Sequence, residues 1–214
     1  MKKALFTLAL SFLSAFVIYG QDNKAFEMQT LSSSSSSVGG YGSLNTNFSS
    51  FRDLGMVSMG VNGAVVINHS FAIGIEGYGV FPSTEFSDFT TLDTTINTTL
   101  TGGWGGLHFE GIFSPEKAIH FVIPVSGGAG WLGYINKYNS YHENNPYDNY
   151  DYLMDDTFFW YIEPGAGVEM NIAKFFRIYL GATYKFTTGI DLKNTPENEL
   201  DKFNARLLLK FGKF

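Results

Sequence analysis

A histidine and a glutamate two residues apart form the most compact pair in this sequence that could do acid–base chemistry. His108 and Glu110 lie on one face of a segment with strand periodicity, so the carboxylate could orient the imidazole as a general base. Acyl transfer or hydrolysis would also need a nucleophile within hydrogen-bond reach, and no serine is evidently placed to supply it. We therefore predict that His108 is a hydrogen-bonded structural residue and that the protein has no catalytic residues and no cofactor.

Nine ionisable side chains share the face of the predicted strands that lies opposite the apolar residues. They are Glu76, His108, Glu110, Glu163, Glu169, Arg177, Lys185, Arg206 and Lys210. Buried charges must pair, because an isolated ion away from water is very costly. We predict that these side chains form a polar network inside the protein, with Glu169 and Arg177 as neighbours across a tight turn. A selective ion path is the alternative interpretation.

A segment rich in tyrosine, asparagine and acids, from Asn136 to Asp156, is the best candidate for binding a partner. Its aromatic and acidic members are Tyr138, Tyr141, Tyr147, Tyr150 and Tyr152 with Asp148 and Asp151. Tyrosine and asparagine at this density are typical of binding loops, which combine aromatic area with adaptable hydrogen bonds. A solvated surface loop is the alternative. The acids lack the spacing of a calcium loop, so we predict no metal site.

Alternation of apolar and small or polar residues indicates that β-strands must position all of these groups. It is clear in "MVSMGVNGAVVI", "FAIGIEGYGVF" and "FFRIYLGATYKF". The chain has 24 Gly, 21 Phe and 12 Tyr but only 16% charged residues, a composition that suits curved, closely packed strands better than long helices. We count eight such segments, from "VGGYGSLNTNF" to "FNARLLLKFGKF".

The polar face of these strands indicates a membrane barrel. In a soluble lipocalin-like protein the apolar face would form the core, whereas in a transmembrane barrel it faces lipid. The opposite face here is mostly Gly, Ala, Ser and Tyr with few charges, which is typical of a crowded lumen. Aromatic residues cluster toward strand ends, where interfacial girdles would lie, at Phe71, Phe81, Phe113, Phe121, Phe158, Phe175, Phe176 and Phe186.

The connections between the predicted strands alternate in length. Short ones follow the second, fourth and sixth strands, at residues 68–70, 114–118 and near 171–174. Long ones occupy residues 82–99, 136–156 and 191–202. Short turns on one rim and long loops on the other are the outer-membrane pattern. The sequence therefore predicts an all-β fold, an eight-stranded antiparallel up-and-down transmembrane β-barrel over residues 38–214.

The first 20 residues have the layout of a secretory signal peptide, with two lysines, an apolar run and Gly20 before a polar stretch. Residues 21–37, with six consecutive serines, read as a flexible leader. The chain has no cysteine, which excludes disulfides, a thiol nucleophile and lipid attachment at an N-terminal cysteine. Its net charge of −6 gives no basic footprint for nucleic acid.

Stretches such as "VVINHSFAIGIEGYGV", "EPGAGVEMNIAKFFRIYLGATY" and "LLLKFGKF" resemble the OmpX/OmpA-like family of small eight-stranded outer-membrane β-barrels. The resemblance covers residues 38–214 and includes no appended peptidoglycan-binding domain. It implies a location in the bacterial outer membrane. The terminal Phe214 resembles the signal that the barrel assembly machinery reads. Strict alternation puts Phe214 in phase with Lys210 and Gly212, so a bulge near Gly212 or a twisted end would be needed to turn it toward lipid.

The sequence thus predicts an integral outer-membrane barrel with a plugged polar lumen, long extracellular loops and an envelope structural or surface-binding role. The alternatives are a lipid-modifying, ligand-binding or transport barrel, and a soluble lipocalin-like secreted protein. Expected partners are outer-membrane lipid, lipopolysaccharide and the barrel assembly machinery, and the chain is expected to be a monomer.

Overall fold

The computed structural model describes residues 37–81, 85–91, 94–137 and 151–214. The predicted signal peptide, the leader up to residue 36 and the centre of the tyrosine-rich segment lie outside these residues. No helix in the described ranges is long and apolar enough to span a bilayer.

The described chain forms ten β-strands. In order they are β1 (Val38–Phe51), β2 (Leu54–Ile67), β3 (Phe71–Phe81), β4 (Glu85–Thr91), β5 (Thr94–Phe113), β6 (Ile119–Lys137), β7 (Asp151–Ala173), β8 (Phe176–Tyr184), β9 (Phe186–Thr188) and β10 (Phe203–Lys213). β4 continues β3 along β5, and β9 continues β8 along β7. Each of these two pairs forms one interrupted strand of the barrel wall. The wall therefore has eight strands, which confirms the predicted strand number.

The eight wall strands close into an antiparallel ring. β1 pairs with β2 on one side and with β10 on the other, and β3 pairs with β5, so the sheet returns to its start. Closure removes the unpaired edges that an open sheet would expose. An all-β, up-and-down barrel is the architecture that the alternation predicted.

Apolar side chains cover the outside of the barrel, and polar side chains fill its interior. Ile75 is 67% exposed, whereas its neighbour Glu76 is only 6% exposed. Other outward apolar residues are exposed in the same way, Ile73 on the same strand and Val61, Leu107 and Leu180 on other strands. Since successive strand residues point to opposite faces, this arrangement gives an outer surface suited to hydrocarbon and an inner surface that must satisfy its own charges. The predicted assignment of the two faces is confirmed.

The two ends of the barrel, here called the lower and upper rims, differ in their connections. The lower rim has the turns at residues 68–70, 114–118 and 174–175. The first two match the prediction, and the third lies slightly later because β7 continues to Ala173. The upper rim begins with a two-residue hairpin, Arg52 and Asp53, whose φ angles of 51° and 62° are left-handed. Hence the upper connections are not all long.

Two predicted long loops are shorter than expected. Residues 85–91 and 94–99 form a strand hairpin inside the predicted 82–99 loop. This segment is rich in β-branched threonine, which favours strands. The tyrosine-rich segment is shortened likewise, because β6 extends to Lys137 and β7 begins at Asp151.

The third predicted loop folds into the mouth of the barrel. We call residues 189–202 the cap. Its side chains Ile190, Leu192 and Leu200 are buried and pack with residues of the barrel wall such as Phe51 and Tyr134. The loop was predicted as an outer connection, but its three apolar side chains gain burial only by turning inward.

Hydrogen bonds from the wall fix the cap in place. The Glu199 carboxylate accepts a bond from the Arg52 backbone N–H at 2.5 Å. The Thr187 N–H donates to Asp201 Oδ1 at 2.7 Å. The hydroxyls of Tyr134 and Thr195 lie 2.8 Å apart. The cap is therefore an ordered part of the barrel.

Phe214 turns into the lower end of the lumen. The register of β1 with β10 continues without a shift to Lys213, so no bulge interrupts it. The Phe214 ring stacks on Tyr41 with centroids 5.7 Å apart, and the Arg177 guanidinium lies 4.0 Å from its centre. An outward orientation of Phe214 is therefore wrong, because regular alternation places it on the Lys210 side. Its role as an assembly signal stays a prediction.

Candidate functional site

The nine predicted inner residues form one continuous chain of alternating charge, here called the lumen network. In the lower half, Arg177 Nη1 lies 2.9 Å from Glu169 Oε1, and Lys210 Nζ lies 2.5 Å from Glu169 Oε2. Lys210 Nζ also lies 2.7 and 2.8 Å from the two oxygens of Glu110. The predicted Glu169–Arg177 contact is thus present, and Lys210 bridges two carboxylates.

The upper half continues from His108. Its Nε2 lies 3.0 Å from Glu110 Oε1, and its Nδ1 lies 3.0 Å from Glu76 Oε2. Arg206 then connects Glu76, at 3.5 Å, to Glu163, at 3.0 Å. Lys185 ends the series 3.4 Å from Glu163 Oε2. The contacts at 3.4 and 3.5 Å are too long for strong hydrogen bonds and act mainly by charge.

The strand positions explain this order. All four carboxylates come from β3, β5 and β7, whereas Arg206 and Lys210 come from β10, which lies opposite β5 in the ring and is separated from β7 by β8. Opposite charges therefore meet across the lumen. Four carboxylates face four arginine and lysine side chains, so the network is close to neutral, as burial requires.

Neutral polar side chains donate further hydrogen bonds to the acids. Glu163 Oε1 accepts bonds from Thr183 Oγ1 at 2.5 Å and from Asn204 Nδ2 at 3.1 Å. Tyr161 Oη donates to Glu76 Oε1 at 3.2 Å. A buried ion pair is stable only when such bonds satisfy its remaining lone pairs. These partners were not predicted from the sequence.

Aromatic rings close the network at both ends. Lys185 Nζ lies 3.4 Å from the centre of the Trp104 ring at the upper end, directly below the apolar cluster that includes the cap. Arg177 lies over Phe214 at the lower end. A ring face attracts a cation, so these contacts hold the terminal charges of the series away from water.

A serine does complete the pair of His108 and Glu110. Ser126 Oγ lies 2.9 Å from His108 Nδ1, so Ser126, His108 and Glu110 have the connectivity of a Ser–His–acid triad. The expectation that no serine lies within reach of His108 is wrong. The missed signal is strand register, because Ser126 and His108 are direct partners in the β5–β6 hairpin.

The surroundings of His108 oppose a catalytic role. Both ring nitrogens face carboxylates, and an imidazolium that donates to both has no lone pair left to accept the serine proton. The side chains of His108 and Ser126 are also 0% and 1% exposed. A substrate would have to enter a filled lumen to reach Ser126 Oγ.

The predicted binding loop cannot be assembled into a site. Tyr138, Tyr141, Tyr147, Tyr150 and Asp148 lie outside the described residues. Asp151 and Tyr152 begin β7, opposite Lys137 and Asn136. No group of three or more His, Asp or Glu in the described ranges is arranged to hold a metal ion.

Comparison with known proteins shows the class of fold. No protein-family model matches the chain, and no curated protein matches it. Neisserial surface protein A is 9% identical, with 84% of this chain and 99% of that chain covered and a TM-score of 0.50. The N-terminal β-barrel domain of Pseudomonas aeruginosa OprF is 10% identical, with 80% and 96% covered and a TM-score of 0.43. Ail of Yersinia pestis is 11% identical, with 83% and 95% covered and a TM-score of 0.40.

These neighbours are small eight-stranded outer-membrane barrels. At 9% identity the likeness to Neisserial surface protein A shows the fold alone. The chain therefore has the fold of the small outer-membrane β-barrels.

Proposed function

We propose that this protein is a non-enzymatic integral barrel of the bacterial outer membrane, with a sealed lumen and an envelope structural or surface-binding role. The observation that carries the proposal is the inversion of the two faces, with Ile75 exposed outside and Glu76 buried inside. A soluble barrel would have the opposite arrangement. Outer-membrane lipid and lipopolysaccharide then surround the apolar band, and the barrel assembly machinery inserts it.

Two layers support a closed lumen. The cap and the wall around it form an apolar cluster at the upper end, with Leu132, Tyr134 and Phe159 all 0% exposed. The lumen network fills the middle with paired charges. A barrel of eight strands has an interior only wide enough for side chains. An ion would therefore have to displace both the apolar cluster and the lumen network.

We expect no sustained channel activity from the refolded full chain in planar bilayers. The cap and the lumen network occupy the route that an ion would take, so the current should stay at the baseline of the bilayer. The control is a preparation whose gel mobility shifts on heating, which shows that folded barrel is present. Uniform unitary currents that persist in such a preparation would contradict a sealed lumen.

The proposed location has its own test. Cell fractionation should recover the chain with the outer membrane, in a form whose gel mobility changes on heating. Recovery of the folded chain in the soluble periplasmic fraction would support the lipocalin-like alternative instead.

A lipid hydrolase is the second candidate, favoured only by the contact of Ser126 with His108. We expect Ser126→Ala to leave the lipid A of expressing cells unchanged relative to wild type when both are compared by mass spectrometry. Ser126→Thr, which keeps the hydroxyl, is the matched control. A lipid A species present with wild type and lost only in Ser126→Ala would establish the hydrolase.

The tyrosine-rich loop remains our proposal for surface binding. It connects two strands that extend to the upper rim, where a partner outside the cell could reach it. Tyr138, Tyr141 and Tyr147 would supply rigid aromatic contacts, and Asp148 would supply charge.

A further inference from the structure

The lower rim is basic, in contrast to the upper rim. Its described charged side chains include Lys117, Lys174 and Lys213, all exposed, and one acid, Glu116. Among the described side chains at the upper rim and in the cap, seven acids outnumber three bases: Asp53, Asp155, Asp156, Asp191, Glu197, Glu199 and Asp201 against Arg52, Lys193 and Lys202. The two rims therefore carry side-chain charge of opposite sign.

Two of the three lower lysines adjoin aromatic side chains on the outside of the barrel. Lys174 precedes Phe175, which is 64% exposed. Lys213 points outward on β10, two residues beyond Phe211, on the same face. Lysine beside an outward aromatic ring is the combination found where a membrane protein meets the headgroup layer, because the ring lies at the interface and the amine extends into the headgroups.

The turn that carries Lys117 is anchored to β7. Asn171 Nδ2 donates to the Pro115 carbonyl at 3.1 Å and to the Lys117 carbonyl at 2.8 Å. The Asn171 N–H donates to the Ala118 carbonyl at 2.9 Å. The backbone of this lysine is thus held at a fixed height on the rim, and no ion pair engages Lys117, Lys174 or Lys213 within the described residues.

We propose that the lower rim is a binding surface for anionic phospholipid headgroups, with Lys117, Lys174 and Lys213 as its contacts. This inference rests on the proposed membrane location. It adds that the protein selects its lipid neighbours and that the selection acts at one rim only. Charge complementarity indicates the partner, since no ion pair engages these exposed amines in the described chain and phosphate groups of the headgroup layer carry the opposite charge.

Relative association of lipid probes measures the selection directly. The full chain is refolded into phosphatidylcholine bilayers, and the spectra of spin-labelled phosphatidylglycerol and phosphatidylcholine give the ratio of their association constants. We expect a ratio above one for wild type at low salt, to which each lysine near the headgroups contributes up to about fivefold. The ratio should fall as salt is added, because these charges are exposed.

Lysine-to-glutamine variants distinguish an effect of the lower rim from an effect of the protein's net charge. Lys117→Gln, Lys174→Gln and Lys213→Gln combined should bring the ratio close to one. Lys174→Gln alone should lower it, whereas the matched control Lys193→Gln, which removes one exposed upper lysine, should leave it unchanged. Equal losses in Lys174→Gln and Lys193→Gln, or a wild-type ratio of one, would overturn the proposal. A heat-modifiable band in those samples would show that the barrel is folded, so that result would leave the proposed membrane barrel standing.

Discussion

Replacing Lys210 with methionine should lower the free energy of unfolding by about 3–5 kcal/mol. Lys210 Nζ lies 2.7 Å from Glu110 and 2.5 Å from Glu169, and all three side chains are at most 1% exposed. Methionine fills a similar volume but removes the cation that these two carboxylates share, and the remaining contacts, from His108 to Glu110 and from Arg177 to Glu169, do not bridge them. The loss is measured as a shift in urea-induced unfolding of the refolded protein, followed by tryptophan fluorescence.

The same strand supplies a matched control for this variant. Lys213 is exposed and three residues further along β10, so Lys213→Met should change the free energy of unfolding by no more than about 0.5 kcal/mol in detergent. The double variant Lys210→Met with Glu110→Gln should recover part of the loss, because it removes the repulsion between the two carboxylates that Lys210 bridged. Equal stability of Lys210→Met and wild type would show that the lumen network does not hold the barrel together.

Replacing Ile75 with arginine should cost about 2–4 kcal/mol in phospholipid vesicles. Ile75 lies midway along the outward side of β3, between Phe71 and Phe81, and is 67% exposed. An arginine there would enter the middle of the hydrocarbon layer. The measurement is the free energy of unfolding from vesicles by urea.

A substitution at an exposed site outside the apolar band tests whether the position of the arginine in the hydrocarbon layer causes this loss of stability. Glu197→Arg, in the exposed part of the cap, should be close to neutral in the same assay. Ile75→Ala should cost less than Ile75→Arg, since it removes apolar contact without adding charge. A neutral effect of Ile75→Arg would mean that the apolar face lies in water.

Alternation was sufficient to predict the wall of the barrel. In β3, the apolar residues Ile73 and Ile75 alternate with Ala72 and Glu76, and the structure separates them to opposite faces. The prediction succeeded because side chains alternate between the two faces of a strand. Assigning one residue to a face therefore assigns its neighbours. The short turns at 68–70 and 114–118 could be predicted for the same reason, because the alternation of apolar and polar residues stops there.

Contacts between strands were harder to predict. Ser126 meets His108 only when β5 and β6 are set in register, and alternation within one strand does not give register. The short turn at 114–118 could have supplied the register of β5 with β6. The cap was missed for another reason: Ile190, Leu192 and Leu200 stand within a polar segment, and their burial depends on a barrel mouth that no local pattern describes.

The lumen network also ties remote parts of the chain together. Lys210 and Glu110 are 100 positions apart, and Arg206 is 43 positions from Glu163. A partly built sheet without β10 would hold Glu76, Glu110, Glu163 and Glu169 with two of their main counter-charges missing. Mutual repulsion would keep such an intermediate open and hydrated until the final segment arrives. The strand that completes the cylinder therefore also brings the last two counter-charges of its interior.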